Sequence, residues 1–178
     1  DEMHLATFRK GIHPPGNKEK TFSLPVETLP LPKQVVLPLS QHIGAPSEPL
    51  VSVGDQVMTG QKIAEAKGMV SVPLHASISG KVVAIEPRPH ASGKLVPAIV
   101  IESDGTDQIS PELASGYNLE QLSAEQIKDL IRQAGLVGMG GAAFPTHVKY
   151  YPPEGKQIEY VILNGAECEP YLTCDHRL

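Results

Sequence analysis

Between residues 35 and 102, short apolar runs alternate with turn residues at close intervals. Apolar and polar positions alternate with a period of two, as at Val82 and Ala84, which is typical of half-buried β-strands. Glycine-containing turn signals such as Gly54-Asp55 separate the runs, because glycine readily adopts positive φ. The pattern predicts a small β-rich domain with strands at Val35–Leu39, Leu50–Val53, Lys62–Glu65, Met69–Leu74, Lys81–Ile85 and Ala98–Glu102.

The periodicity changes after residue 122. Ser123 followed by Gln126 fits a capping box, in which each residue satisfies a backbone N–H at the start of a helix. Gly135 stands where a glycine commonly ends a helix. The pattern predicts a helix at Ala124–Ala134, with one apolar face made of Ile127, Leu130, Ile131 and Ala134.

The segments around these elements complete a prediction of four parts. Residues 1–34 form an extended arm, because eight prolines fall within the first fifty residues. Residues 35–102 are the β-rich domain, and residues 103–122, which are rich in turn signals, are a linker. The apolar run Glu159–Leu163 is typical of a buried parallel strand. One strand and one helix cannot bury each other's apolar faces, so residues 123–178 are expected to be the start of an incomplete α/β domain.

Composition and charge exclude several classes of protein. The chain has 178 residues with 16 Gly and 17 Pro, too many helix breakers for a long helical bundle. Its formal net charge of −5 argues against a nucleic-acid partner, and no apolar run is long enough to span a membrane. Two cysteines make no disulfide framework, so a reducing compartment is the default. Cys168 and Cys174 are separated by five residues, which suits neither an iron–sulfur cluster nor zinc, and they are interpreted as buried or idle thiols.

The stretch GLVGMGGAAFPTHVK, residues 135–149, is the first candidate for chemistry. Gly138, Gly140 and Gly141 could let backbone N–H groups approach a phosphate or a flat ring. A cation, Lys149, follows Phe144 after five residues. The glycines do not form a Rossmann fingerprint, because here a helix precedes them. Spacing alone leaves two interpretations open, a ligand-binding loop or a tight turn.

The turn NGAECEP, residues 164–170, is the second candidate, because it follows the predicted buried strand. Ligands of open α/β sheets bind beyond the carboxyl ends of the strands. Asn164, Glu167 and Glu169 could therefore bond a flavin or ribose hydroxyls there. The alternative is an acidic turn without a ligand.

Residues 51–87 resemble biotinyl and lipoyl carrier domains, which are barrel-sandwich hybrids. Carriers present a modified lysine at the tip of a hairpin. Counting back from Gly80 puts that tip near Met69, which has no amine. The resemblance therefore favours a structural copy without a prosthetic group, and the alternative is a modified Lys67.

The whole chain from Phe8 onward resembles a family of electron-transport proteins. GMGGAAFPTHVK followed by VILNGAECEP is similar to the flavin-bearing, NADH-oxidising subunit of respiratory complex I. The order of motifs, with GIHPP at residues 11–15 and QHIGAP at residues 41–46, is closer to the N-terminal part of the C subunit of the Rnf electron-transport complex. The resemblance implies a barrel-sandwich hybrid followed by the start of a Rossmann-like α/β domain for FMN and NADH, a mixed α+β fold.

The resemblance also implies roles for individual residues. FMN would be held by Gly138, Gly140, Gly141, Lys149 and Asn164. Phe144 matches the position stacked near the nicotinamide, Glu169 the one near the NADH ribose, and Glu167 an acidic position beside the flavin. The chain departs from the motif twice, because Met139 replaces an arginine of the loop and Ala166 an aspartate of the turn.

At the level of the whole protein, the resemblance implies oxidation of NADH through FMN and transfer of electrons to two [4Fe–4S] clusters held downstream. The complex would couple this to ion transport between ferredoxin and NAD. The protein would lie peripherally on the cytoplasmic face of the bacterial inner membrane, bound to the other subunits, and these 178 residues alone would be inactive. The alternative is a non-catalytic assembly role, as in the A subunit of sodium-translocating NADH:quinone reductases.

Overall fold

A computed structural model describes residues 10–12, 14–114 and 116–177. The chain divides into two compact units. The larger unit is Pro30–Gln157, and the smaller combines the described residues before Pro30 with those after Gln157.

Two antiparallel sheets form the body of the larger unit. Their strands are β1 (Gln34–Pro38), β2 (Glu48–Pro49), β3 (Gln56–Val57), β4 (Lys62–Glu65), β5 (Leu74–His75), β6 (Gly80–Pro89) and β7 (Leu95–Ser103). The first sheet has the strand order β1-β7-β6-β3, and the second has the order β2-β4-β5. The long hairpin of β6 and β7 is the main feature of the first sheet and pairs Val82 with Ile101 and Pro89 with Leu95.

The core lies where side chains from both sheets meet. Ile63 of the second sheet packs in one cluster with Val82, Ile99 and Ile101 of the first sheet, and all four are fully buried. Burial of such branched side chains stabilises the fold by roughly 1.5–3 kcal/mol each. Two small sheets closed over one apolar core are the architecture expected of a barrel-sandwich hybrid.

Four of the six predicted strands are found with shifted ends at most, and two are wrong. Residues 50–53 are not a strand, because Ser52 and Asp55 form a tight turn in which the Asp55 carboxylate accepts the Ser52 N–H at 2.8 Å. The strand at this place is β2, two residues earlier. Residues 69–73 form a loop. The carbonyl groups of Met69 and Val70 accept hydrogen bonds from His147 and from the Ala45 N–H, neither of which belongs to the sheet. The sequence pattern also gave no indication of β3.

The predicted helix is confirmed. After the short helix α1 (Pro111–Ala114) and a 3₁₀ turn at Leu119–Gln121, α2 covers Ala124–Gln133. The Ser123 hydroxyl accepts the Gln126 N–H at 3.2 Å, and the Gln126 side chain accepts the Ser123 N–H at 2.8 Å. Gly135 has a φ of 71°, as expected of a glycine after a helix. The larger unit continues with β8 (Val137–Gly138), β9 (Phe144–Pro145) and α3 (Thr146–Lys149).

The prediction of a buried strand at Glu159–Leu163 is wrong. This segment forms no strand, and Tyr160, Val161, Ile162 and Leu163 are each more than four-fifths exposed. The β-branched residues favour an extended chain, but a strand needs a hydrogen-bonding neighbour. Within the described ranges, no strand pairs with this run.

The smaller unit joins the two ends of the described chain by polar contacts. Its elements are a 3₁₀ turn at Lys18–Lys20 and α4 (Cys174–Arg177). The Lys18 ammonium donates to the carbonyl groups of Glu169 and Leu172 at 3.0 and 2.8 Å. The Phe22 and His176 rings stack with 4.1 Å between centroids. Among the helices of the described chain, none has the length and apolar character needed to cross a membrane.

Candidate functional site

The glycine loop, residues 138–143, connects two short antiparallel strands. Strand β8 pairs with β9 through Val137 opposite Pro145 and Gly138 opposite Phe144. The Thr146 N–H donates to the Leu136 carbonyl at 2.9 Å and closes the base of this hairpin. The loop is therefore held at both ends, while residues 139–142 in its middle are exposed.

The glycines in the middle of the loop are not required by the fold. Neither Gly140 nor Gly141 has a left-handed φ. A Cβ built on either residue meets no described atom within 4 Å. Both reasons for which a fold usually needs glycine, positive φ and close packing, are thus missing. The space that side chains would fill lies open, which suits a ligand that approaches the backbone closely.

A cation lies against the start of this loop. A Cβ on Gly138 would stand 2.8 Å from the Lys149 Nζ, so the glycine leaves room for the lysine to reach across from α3. Lys149 is exposed, and Phe144 is half-buried beside Gly138 on the paired strand. The structure therefore brings Gly138, Gly140, Gly141, Phe144 and Lys149 together around one loop.

Loop residues of the barrel hold the glycine loop from outside. The Ile43 N–H donates to the Ala143 carbonyl at 3.3 Å. The neighbouring His42 is buried, and its Nε2 lies 3.3 Å from the Val72 N–H nitrogen. Since an N–H can only donate, Nε2 accepts, and Nδ1 carries the proton that reaches the Ile43 carbonyl at 3.1 Å. Sequence reasoning identified QHIGAP only as a family motif and missed this structural role.

The other three predicted residues lie in the smaller unit, in the turn 164–170. The Asn164 side-chain oxygen accepts the Ala166 N–H at 2.9 Å. The Glu167 carboxylate accepts the N–H groups of Asp175 and His176 at 2.5 and 3.3 Å. Glu169 is exposed. The local role of Glu167 is thus to cap the first turn of α4, a role that sequence reasoning missed.

Both thiols are free and exposed. Of the two interpretations, buried or idle, burial is therefore wrong. The pKa of Cys174 is raised by desolvation and by the carboxylates of Glu167 and Asp175. Ligand atoms of these three residues lie within 4.8 Å of one another. Glu167 already accepts two backbone N–H groups there, and we assign no metal to this cluster.

The model of the RnfC barrel-sandwich hybrid domain matches residues 6–106, more than half of the chain. The chain belongs to the RnfC family. The barrel-sandwich fold and the resemblance to the C subunit of Rnf complexes are therefore confirmed. The model of the Nuo51 FMN-binding domain matches residues 131–178, which include the glycine loop and the turn 164–170 of this RnfC-family chain.

Three curated relatives illustrate the match. The C subunit of the Na⁺-translocating ferredoxin:NAD⁺ oxidoreductase complex of Acetobacterium woodii is 54% identical over 97% of this chain and 39% of its own length. The proton-translocating counterpart from Clostridium ljungdahlii is 49% identical over 97% and 38%. The C subunit of the ion-translocating oxidoreductase complex of Rhodobacter capsulatus is 47% identical over 97% and 33%. The chain thus spans between 33% and 39% of the length of these relatives.

Proposed function

We propose that this chain is part of a subunit that oxidises NADH through FMN and passes the electrons to [4Fe–4S] clusters. The subunit would serve a membrane complex that couples electron transfer between ferredoxin and NAD to ion transport. The names of the relatives support the ferredoxin:NAD⁺ oxidoreductase role, and the match to an FMN-binding domain supports the cofactor. The clusters would lie outside these 178 residues.

The open glycine loop beside a lysine is the observation that carries this proposal. Gly140 and Gly141 leave space without any need of the fold, and the Lys149 ammonium is close to Gly138. A phosphate group binds well to a cation and to backbone N–H groups. FMN would supply the step between a two-electron hydride donor and one-electron acceptors. The glycines would provide space for it, and Lys149 would bind its phosphate.

We propose a separate role for each of the remaining candidate residues. Asn164 would bind FMN, and Glu167 would lie beside it. Phe144 would stack near the nicotinamide, and Glu169 would bind the NADH ribose. Met139 is 90% exposed and offers no charge, so backbone N–H groups and Lys149 would carry the phosphate without the arginine of the family motif.

We place the complete subunit on the cytoplasmic face of the bacterial inner membrane, held there by other members of the complex. The 178 residues alone would not oxidise NADH. A pocket normally encloses most of its ligand with walls from several elements, and this chain corresponds to less than two fifths of its relatives.

The hairpin tip argues against the carrier alternative. Lys67 pairs with the Glu48 carboxylate at 2.5 Å. The carbonyl of Gly68, the next residue, accepts a hydrogen bond from Arg132 at 2.9 Å. A swinging prosthetic group needs a free tip, whereas this tip is fastened to α2. Intact-mass measurement of the native protein tests the alternative, because a carrier would show the mass of biotin or lipoate.

Fluorescence titration with FMN tests the proposal on the full-length wild-type protein and on two valine variants. Gly140→Val fills the open space, so we expect loss of FMN binding with an unchanged melting temperature. Gly116→Val is the matched control, because a Cβ there also meets no described atom within 4 Å and its φ is also not left-handed. Wild-type protein that binds no FMN would favour the assembly alternative. Unchanged binding by Gly140→Val would refute the placement of the site.

A further inference from the structure

The tip loop, residues 66–73 between β4 and β5, is fastened to the helices that flank the glycine loop. The Arg132 Nη2 of α2 donates to the Gly68 carbonyl at 2.9 Å. The His147 Nε2 of α3 lies 3.0 Å from the Met69 carbonyl. Because a carbonyl can only accept, Nε2 of His147 carries the proton. Two successive carbonyl groups of the barrel tip thus each bond one side chain of the following module.

The same loop is also held from the other side by residues 42–47, here named the brace loop. The Ala45 N–H donates to the Val70 carbonyl at 3.2 Å. The Ser47 hydroxyl donates to the Val72 carbonyl at 2.8 Å. The brace loop in turn bonds the glycine loop through the Ile43 N–H. The barrel therefore bonds the glycine loop directly through the brace loop, and it bonds the flanking helices α2 and α3 through the tip loop.

These contacts are distributed around the glycine loop. Arg132 lies before it, the Ala143 carbonyl is within it, and His147 follows it. The side chains of Arg132 and His147 also line a cavity of about 360 Å³ between the tip loop and α2. The Lys62 ammonium also donates to the Gln133 side-chain oxygen of α2 at 2.6 Å, and a Cβ on Gly135 would stand 2.8 Å from the Pro73 carbonyl oxygen. The hydrogen bonds of Arg132 and His147 therefore add to other close contacts between the barrel and this module.

Each of the two side chains has a buried nitrogen atom without a described hydrogen-bond partner, which lowers the stability of the fold. Arg132 leaves its Nε, and His147 its Nδ1, buried without a hydrogen-bond partner among the described residues. His147 is only 4% exposed. Buried polar atoms without partners are uncommon and call for an explanation. A requirement to hold the tip loop at a fixed place relative to the glycine loop provides one.

We propose that Arg132 and His147 are positioning residues through which the barrel holds the glycine loop in the conformation that binds its ligand. The barrel tip, where carriers present their lysine, thereby becomes a docking platform for the flavin-binding module. This inference rests on the proposed function for its ligand. Its mechanical part, the restraint of the loop, can be measured without FMN.

Hydrogen–deuterium exchange on the full-length subunit tests the restraint. In the double variant Arg132→Met/His147→Phe, the peptide containing residues 136–146 should exchange at least tenfold faster, whereas peptides of β6 and β7 should be unchanged. Arg88→Met is the matched control. Arg88 also has a buried Nε without a described partner and pairs with Glu86 at 2.6 Å on β6, in the long hairpin.

Two further variants keep the test decisive if the double variant unfolds. Arg132→Lys retains a donor for the Gly68 carbonyl, and His147→Gln retains one for the Met69 carbonyl. Each should preserve slow exchange better than Arg132→Met or His147→Phe alone. The proposal would be overturned if residues 136–146 exchanged at the same rate in wild-type protein, in Arg132→Met and in His147→Phe.

FMN titration of the same proteins separates this proposal from the proposed function. If wild-type protein binds FMN, the dissociation constant should rise at least tenfold in the double variant and stay unchanged in Arg88→Met. Faster loop exchange with unchanged FMN affinity would overturn the positioning role. Wild-type protein without FMN affinity, but with variant-dependent loop exchange, would refute the flavin assignment and leave the restraint established.

Discussion

The approach of the brace loop to the tip loop leads to a quantitative prediction for Gly44→Ala. Gly44 has a φ of 101°, and a Cβ there would stand 2.1 Å from the Val70 carbonyl oxygen. A positive φ costs a non-glycine residue about 1–2 kcal/mol. The backbone oxygen must also retreat by about 1 Å to reach ordinary contact distance, which breaks the bond it accepts from the Ala45 N–H, worth about 1 kcal/mol. We expect a loss of about 2–3 kcal/mol in the free energy of unfolding.

Gly68→Ala is the control for this prediction. Gly68 also has a positive φ, 82°, but a Cβ there meets nothing within 4 Å. Only the conformational term of about 1–2 kcal/mol applies. Urea denaturation followed by circular dichroism should therefore show that Gly44→Ala is less stable than Gly68→Ala by about 1 kcal/mol, the value of the lost hydrogen bond. Equal destabilisation of the two variants would refute the close approach of the two loops.

Further predictions concern pH, the turn 164–170 and the thiols. Burial and the nearby Lys62 charge lower the pKa of His75, so the unfolded chain binds more protons as the pH falls below about 6.5. The free energy of unfolding should therefore decrease as the pH falls through the folded pKa of His75. In His75→Gln this pH dependence should be weaker, as measured by urea titrations between pH 4 and 8. Glu167→Ala removes an acceptor for two N–H groups and should increase hydrogen exchange in residues 174–177, whereas Glu169→Ala should not. Replacing both cysteines by alanine should leave the iron content of the full-length subunit unchanged, and a loss of iron would show that they bind it.

The sequence pattern predicted an element correctly where the structure of that element depends on its own residues. Ser123 and Gln126 form the capping box that their spacing predicts, and α2 therefore begins where expected. The apolar alternation around Val82 correctly indicates a strand. The prediction was wrong at residues 69–73, because their carbonyl groups and that of Gly68 bond Ala45, Arg132 and His147, which are distant in sequence. No local pattern contains such partners.

In the candidate site, too, the sequence predicted the local features but not the contacts between distant residues. Glycines at 138, 140 and 141 stand out in the sequence. The structure adds that Gly140 and Gly141 have no left-handed φ and that a Cβ on either meets no atom of the described residues within 4 Å. The position of the Lys149 ammonium beside Gly138 depends on the β8–β9 hairpin and could not be inferred from spacing alone. The structural role of His42 was hidden because a single histidine in a proline-rich stretch gives no periodic signal.

Comparison of FMN with riboflavin tests the central claim most directly, because the two ligands differ only in the phosphate. A charge-assisted hydrogen bond contributes about 1.5–3 kcal/mol, which is roughly a tenfold or greater preference. In the full-length subunit we predict that FMN binds at least tenfold more tightly than riboflavin and that Lys149→Met reduces this preference without weakening riboflavin binding. An undiminished preference for FMN in Lys149→Met, or equal affinity for both ligands in the wild-type protein, would contradict the account.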